Sequence, residues 1–197
     1  MTDDGSPWFV AVGASGGEGL RDIEALLAAL PPSIQAVILV VLHRPWDRPS
    51  NLRPVLERAC SHPVLIAEEG EKFERGTVYI GEPGQHLTLA ARSLGGLVDD
   101  PDRQHRNRTV DLLFRSVARY AKKRVIGVVL SGSLDDGSRG VAAIHEAGGL
   151  TMVITPNWNL HRGMPENAIG YSGPIDVVGS PQTIAAAIVE AVARGDH

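Results

Sequence analysis

The chain has 197 residues, of which 43% are hydrophobic and 21% charged, and its formal net charge is -4 at pH 7. This size and apolar content suit one domain with a buried core, which we expect to span residues 1–197. The weakly acidic charge excludes a general attraction to nucleic acid or anionic lipid, and no apolar run reaches the roughly 20 residues needed to cross a bilayer. Cys60 is the only cysteine, which excludes an internal disulfide framework and fits a cytoplasmic protein.

The first predicted element is an apolar strand at residues 9–12, which ends at Gly13-Ala14-Ser15-Gly16-Gly17. Apolar residues at helical spacing follow from Leu20 to Leu30, so the pattern predicts a strand, a tight turn and a helix. The glycines and Ser15 also match the G-x-S-x-G spacing of a nucleophile elbow, in which small neighbours let the backbone bend and expose the serine oxygen. Ser15 is therefore the first candidate nucleophile.

The rest of the chain alternates predicted strands and helices. An apolar run without polar alternation is typical of a strand buried on both faces of a parallel sheet, and one occurs at residues 36–42. The runs 64–67, 124–130 and 150–154 predict further strands. Short β-prone runs within residues 76–99 interrupt the alternation and predict an antiparallel hairpin or meander. We expect a three-layer, doubly wound α/β domain with a mainly parallel sheet and an antiparallel hairpin extension.

Thr109 is predicted to cap a helix that carries Val110, Leu113 and Phe114 on one side. Later in the chain, Pro165 is placed to start a short helix, and the run 175–178 predicts the last strand before the terminal helix at Ser180-Pro181.

Reactive side chains follow three of the predicted strands. Ser15 follows the first strand, His43 ends the second, and Asp135 and Asp136 follow the strand that ends at Leu130. Serine needs a neutral imidazole as base, and the imidazole needs a carboxylate to fix its tautomer. The carboxyl ends of parallel strands share one edge of the sheet, so these residues can form that set. Their order, Ser then His then Asp, differs from the Ser, Asp, His order of α/β-hydrolases.

The chain resembles the catalytic domain of CheB-type chemotaxis protein-glutamate methylesterases from about Phe9 to about Val192. The matching motifs are Val12-Gly13-Ala14-Ser15 with Gly17, His43-Arg44-Pro45, Val78-Tyr79-Ile80 with His86-Leu87, Arg108-Thr109-Val110-Asp111-Leu112-Leu113-Phe114, Leu130-Ser131-Gly132 through Asp136-Gly137, Gly148-Gly149 and Gly163-Met164-Pro165. Several separated motifs in the same order carry this resemblance. It departs where the family usually has Thr after the serine and Gly-Met-Gly in the second turn, since this chain has Gly16 and Gly132-Ser133-Leu134.

The resemblance implies roles for particular residues. Ser15 would be the nucleophile, His43 the base and Asp136, which directly precedes Gly137, the orienting carboxylate, with Asp135 as the rival acid. Backbone N–H groups of Gly16 and Ser133 are the candidates for the oxyanion site. The implied activity is hydrolysis of glutamate methyl esters on chemoreceptors, with deamidation of glutamines as a second reaction, and it needs no cofactor and no metal.

The resemblance also implies partners. A methyl-accepting chemotaxis receptor would be the substrate, with no nucleic acid and no insertion into the membrane. Arg106 and Arg108 lie where the family has a similar arginine-containing stretch, and we expect them to contact acidic receptor helices. Family members are commonly regulated by an N-terminal receiver domain, for which the roughly eight residues before the first strand leave no room. We therefore expect regulation to be absent, supplied by a separate response regulator, or lost with part of a longer chain.

Two alternative functions remain open. The changes at Gly16 and Leu134 favour a catalytically weak or inactive adaptor that keeps the fold and binds a receptor or signalling partner. The glycines after the first strand also suggest a nucleotide-binding module. However, these glycines do not fit G-x-G-x-x-G, and no acidic residue closes the second strand where a ribose would need one.

Overall fold

The computed structural model describes residues 6–45, 50–91, 93–105, 108–157, 163–171 and 174–195. The strands are β1 (Trp8–Ser15), β2 (Ala36–His43), β3 (Val64–Ile66), β4 (Val78–Ile80), β5 (Gln85–Ala91), β6 (Leu94–Asp99), β7 (Val125–Val129), β8 (Leu150–Ile154) and β9 (Val177–Gly179). The helices are α1 (Gly16–Ala29), α2 (Leu52–Ala59), α3 (Thr109–Ala121), α4 (Ser138–Glu146), α5 (Met164–Tyr171) and α6 (Pro181–Gly195). In the described residues, no helix is long and apolar enough to cross a membrane.

The main sheet has the order β3-β4-β2-β1-β7-β8-β9. Every pairing in it is parallel, and β1 and β2 lie at its centre. β5 and β6 form a separate antiparallel pair. This arrangement confirms the predicted α/β fold with a mainly parallel sheet and an antiparallel hairpin.

Both faces of the sheet are buried. Alternate β1 residues belong to two different apolar clusters, with Val10 and Val12 on one face and Phe9 and Ala11 on the other. The first cluster packs against α1, α2 and α6, and the second against α3, α4, α5 and β5. A strand covered on both sides has no solvent face, which explains its unbroken apolar sequence.

Three local predictions differ from the structure. β4 joins the parallel sheet between β3 and β2, so the antiparallel part of residues 76–99 is only the β5–β6 hairpin. The last strand begins at Val177 and not at residue 175, although Asp176 already contacts β8: its carboxylate accepts from the Thr151 amide at 2.7 Å, and its amide donates to the Thr151 carbonyl at 2.9 Å. Thr109 is the first residue of α3 and not its cap, and the first amides of that helix are bonded by a carboxylate distant in sequence.

Candidate active site

The ends of β1 and β2 bring Ser15 and His43 together. The two strands pair in register from Trp8 opposite Ala36 to Ser15 opposite His43. Neighbouring strands lie about 4.8 Å apart, and directly paired residues of parallel strands face the same side of the sheet. The register therefore places the hydroxyl and the imidazole side by side at the carboxyl edge of the sheet.

The turn after β1 leaves the Ser15 hydroxyl available. Ser15 has extended backbone, and Gly16 begins α1 with a φ of 72°, a left-handed conformation that favours glycine. Ser15 holds the cap position of α1 but makes no side-chain capping bond. Within the described ranges, its hydroxyl has no hydrogen-bond partner, so no structural bond has to break before it reacts.

His43 is bonded to the carboxylate that the resemblance selects. Its Nε2 lies 2.6 Å from Oδ2 of Asp136, and the Asp136 side chain is fully buried. Asp135, the rival acid, is exposed, and no contact joins it to His43 in the part of the chain that the structure describes. Since Nε2 faces the carboxylate, Nδ1 is the ring nitrogen that remains to exchange a proton with Ser15.

The start of α3 holds Asp136 in place. Oδ2 of Asp136 accepts a hydrogen bond from the Val110 amide and Oδ1 accepts one from the Asp111 amide, both at 2.8 Å. These amides belong to the first turn of α3, where helix N–H groups lack partners within the helix and the dipole favours a negative charge. The two bonds therefore hold the buried carboxylate in a fixed orientation.

The second glycine-rich turn packs directly against Ser15. The Ser15 amide donates to the Ser131 carbonyl at 3.0 Å. A side chain at Gly132 would place its Cβ 2.4 Å from Met164 Sδ and 2.7 Å from Ser15 Cβ, so only glycine allows this approach. Ser133 is therefore close to the serine turn in space, although more than a hundred residues separate the two in sequence.

The segment at Gly163 and Met164 holds the turn that contains the candidate oxyanion donor Ser133. It lies opposite Gly163 in an isolated antiparallel bridge, and the flanking bond runs from the Met164 amide to the Gly132 carbonyl at 2.8 Å. In such a pair, the two facing residues do not use their own N–H groups in the bridge. The Ser133 amide is thus left for another acceptor. Gly16, the other candidate donor, directly follows the serine.

Leu134 adopts an unusual conformation in the same turn. Its φ is 70°, which is unfavourable for a bulky side chain, and it is 55% exposed. Asn167 Nδ2 donates to the Leu134 carbonyl at 2.8 Å and helps to fix this shape. Although Leu134 replaces the glycine that the family usually has, the turn still brings Asp136 to His43.

Two clefts flank His43. One, of about 410 Å³, is bordered by Gly16, Leu20 and Leu52 from the starts of α1 and α2. The other, of about 310 Å³, extends along the residues after β4 and includes Arg103. His43 thus lines both clefts, and its side chain is 14% exposed.

The structure describes one of the two predicted docking arginines. Arg106 lies outside the described residues. Arg108 has a side chain that is 48% exposed, with Nη1 3.8 Å from Asp111 Oδ2. Its charge is therefore partly shared with a buried carboxylate and partly open to solvent.

Sequence analysis missed two features that organise the site. Asp111 was seen only as part of a motif, although its amide and carboxylate contact the residues at and after Asp136. Arg44 was also given no role, although its Nη1 donates to Ser50 Oγ at 2.5 Å and Nη2 to the Gly81 carbonyl. No local pattern indicates either role, because each depends on contacts between distant segments.

Comparisons with known proteins agree on one family. The chain matches the family described as CheB methylesterase over residues 10–188. It is 37% identical over 173 residues to the protein-glutamate methylesterase/protein-glutamine glutaminase of Yersinia pestis bv. Antiqua (strain Antiqua), covering 86% of this chain and 49% of that protein. It is 34% identical over 190 residues to the protein of the same name from Geobacillus kaustophilus (strain HTA426), covering 93% and 53%.

A solved structure gives the same result. The fold matches the crystal structure of the Thermotoga maritima CheB methylesterase catalytic domain with a TM-score of 0.83 and 28% identity, covering 94% of this chain and 99% of that one. The chain spans about half the length of the curated relatives. Family match and structural match agree over nearly the whole chain, and the chain belongs to the CheB methylesterase family.

Proposed function

We propose that this chain is a serine esterase that hydrolyses glutamate methyl esters on chemoreceptors, with Ser15 as nucleophile, His43 as base and Asp136 as the orienting acid. The observation that carries the proposal is the 2.6 Å contact between His43 Nε2 and Asp136 Oδ2, next to a serine paired with His43 in the strand register. Membership of the CheB methylesterase family supports the substrate class.

The first half of the reaction would transfer the acyl group to the enzyme. Ser15 Oγ attacks the ester carbonyl carbon while His43 Nδ1 takes the hydroxyl proton, and Asp136 stabilises the imidazolium through Nε2. The carbonyl oxygen becomes an oxyanion, for which the Gly16 and Ser133 amides are the proposed donors. The C–O bond to the methoxy group then breaks, and Nδ1 returns the proton so that methanol leaves.

The second half would release the free glutamate. A water molecule gives a proton to His43 Nδ1 and attacks the glutamyl ester, and Ser15 recovers its proton when the new carboxylic acid departs. A glutamine side chain can enter the same cycle, with ammonia as the leaving group in place of methanol. We include this second activity because both relatives are named protein-glutamate methylesterase/protein-glutamine glutaminase.

The proposed partners follow from this substrate. The first is a methyl-accepting receptor, which the protein would meet in the cytoplasm, and the second is a response-regulator protein that would control the activity. Arg106 and Arg108 remain the proposed contacts with acidic receptor helices. A charge reversal at Arg106 should weaken binding to the methylated receptor and reduce its salt dependence, whereas unchanged binding would refute the docking role.

The decisive experiment measures methanol release from a methylated receptor by the unmodified protein and by its S15A variant. Release by the former and not by the latter supports the serine mechanism. Equal release by both refutes it.

An adaptor function is the second candidate, and the left-handed Leu134 beside the proposed oxyanion donor favours it. In that case neither protein releases methanol, while both bind the receptor equally well.

A further inference from the structure

Asp136 caps α3, the helix on which Asp111 lies. Asp111 in turn caps α4, the helix that begins just after Asp136. Asp136 accepts hydrogen bonds from amides in the first turn of α3, including that of Asp111. Asp111 Oδ1 in turn accepts from the Gly137 amide at 3.0 Å and the Gly140 amide at 2.8 Å, at the start of α4. The two carboxylates therefore tie the two helix starts to each other.

Burying the Asp111 carboxylate costs more free energy than a simple helix cap requires. The residue is 3% exposed, and its Oδ2 is buried with no hydrogen-bond partner among the described residues. The cations Arg108 and Arg139 approach Oδ2 only to 3.8 and 3.7 Å. An asparagine would cap the helix without burying a charge. Stability alone does not account for an aspartate here.

We propose that Asp111 is a positioning residue that holds Asp136 against His43. It acts from two sides, because its carboxylate fixes the Gly137 amide that follows Asp136, and its own amide binds Asp136 Oδ1. The carboxylate of Asp136 is thereby left with Oδ2 aimed at Nε2 of His43. The inference rests on the function proposed above, since the positioning matters through the His43 base.

The charge of Asp111 adds to this effect. A negative charge beyond Asp136 favours the imidazolium that forms on His43, while Arg108 and Arg139 offset part of it. Burial raises the pKa of the Asp111 carboxyl to about 6, and the nearby charge of Asp136 also raises it, while the Gly140 and Gly137 amides and Arg108 lower it. Asp111 is thus ionised at neutral pH and loses its charge in mildly acidic solution.

The kinetic test compares D111A, which removes both the acceptor and the charge, with D111N, whose amide oxygen still accepts from both amides. The probe is a peptide carrying a glutamate methyl ester, and methanol release is measured well below the unfolding temperature. We expect D111A to lower kcat by about 10- to 100-fold with KM nearly unchanged, because the base is misplaced by a fraction of an ångström. D111N should recover most of this loss.

A second readout needs no substrate. In ¹H–¹⁵N spectra of the imidazole ring, D111A should shift the resonance of the His43 Nε2 proton, whereas D111N should leave it near its original position. The matched control is D176A, which also removes a carboxylate bonded to a backbone amide, that of Thr151 at 2.7 Å, but at the opposite edge of the sheet. D176A should lower the unfolding temperature without shifting that resonance or lowering kcat.

The outcomes separate the inference from the proposed function. If D111A matches the unmodified protein in both kcat and the His43 resonance, or changes stability alone as D176A does, the positioning role is refuted. If D111A does not fold, D111S, which keeps a hydroxyl acceptor on a shorter side chain, takes its place in both measurements. If no protein releases methanol yet D111A still shifts the His43 resonance, the proposed function fails and the positioning inference stands.

Discussion

Nε2 of His43 lies 2.6 Å from Oδ2 of Asp136, a carboxylate that also accepts hydrogen bonds from the Val110 and Asp111 amides at the start of α3. The three donors leave the carboxylate little freedom to rotate. An amide at this position would retain its shape but present an N–H group to one of these donors.

We therefore expect D136N to lower kcat by about 10³- to 10⁴-fold, because His43 would be held in the wrong tautomer. The measurement is methanol release from an ester-bearing peptide, with unfolding temperature as a check on folding. D135N is the matched control, since the neighbouring Asp135 is exposed, and it should retain full activity. Equal losses in the two variants would contradict the assignment of the acid to Asp136.

A substitution at Gly132 tests whether the second glycine-rich turn packs closely against Ser15. In G132A the new Cβ would meet Met164 Sδ at 2.4 Å and Ser15 Cβ at 2.7 Å. We expect a loss of about 1–3 kcal/mol in unfolding free energy, measured by urea denaturation, together with a lower kcat because the serine must move. G17A is the control, since nothing lies within 4 Å of its new Cβ, and it should unfold no more easily than the unmodified chain. An active, fully stable G132A would show that the turn is not tightly packed.

The Asp111 carboxyl should make stability depend on pH. The folded protein holds this proton up to a pKa of about 6, whereas the reference value for an unfolded chain is 3.8. Its contribution to folding is therefore full below about pH 4 and is lost as the pH rises to about 6. Relative to D111N, the unmodified protein should lose up to about 3 kcal/mol of unfolding free energy across this window and change no further above it. Parallel curves for the two proteins, measured by urea denaturation at each pH, would contradict the raised pKa.

Leu134 carries backbone strain that a different side chain would relieve. Asparagine tolerates the left-handed conformation, and an exposed leucine contributes little burial, so L134N should raise the unfolding free energy by roughly 0.5–1 kcal/mol. The control is L94N, since Leu94 is 40% exposed in β6 and does not have a positive φ. L94N should bring no gain in unfolding free energy. An equal gain in both variants would mean that the effect comes from the more polar side chain and not from relieved strain.

The sequence predicted most strands of the sheet but not the contacts within the site. An unbroken apolar run identified the strand at residues 36–42, because a strand buried on both faces has no polar side to alternate with. The run at 78–80 was placed in an antiparallel unit, since three residues do not indicate which neighbour they pair with. The positions of Ser15 and His43 at strand ends predicted that they share one edge of the sheet, which the register agrees with.

The sequence could not indicate how distant segments satisfy one another's hydrogen-bonding groups. Thr109 had the right chemistry for a cap, but the tertiary fold brings the Asp136 carboxylate to the amides that a local cap would have bonded. The role of Asp111 was hidden for the same reason, because Gly137 and Gly140 are its partners only after α3 and α4 have packed together. Such exchanges have no local signature in one chain.

The register between β1 and β2 limits how this site can be altered. Side chains alternate between the two faces of a strand, so inserting or deleting one residue ahead of Ser15 or His43 turns that side chain to the opposite face if the shift propagates to the strand end. The proposed nucleophile and base would then be separated by the whole thickness of the sheet, although every residue of the site was still present. The lengths of two buried strands are thus part of the proposed catalytic apparatus. Insertions or deletions ahead of Ser15 or His43 are tolerated only where a loop absorbs them before the strand begins.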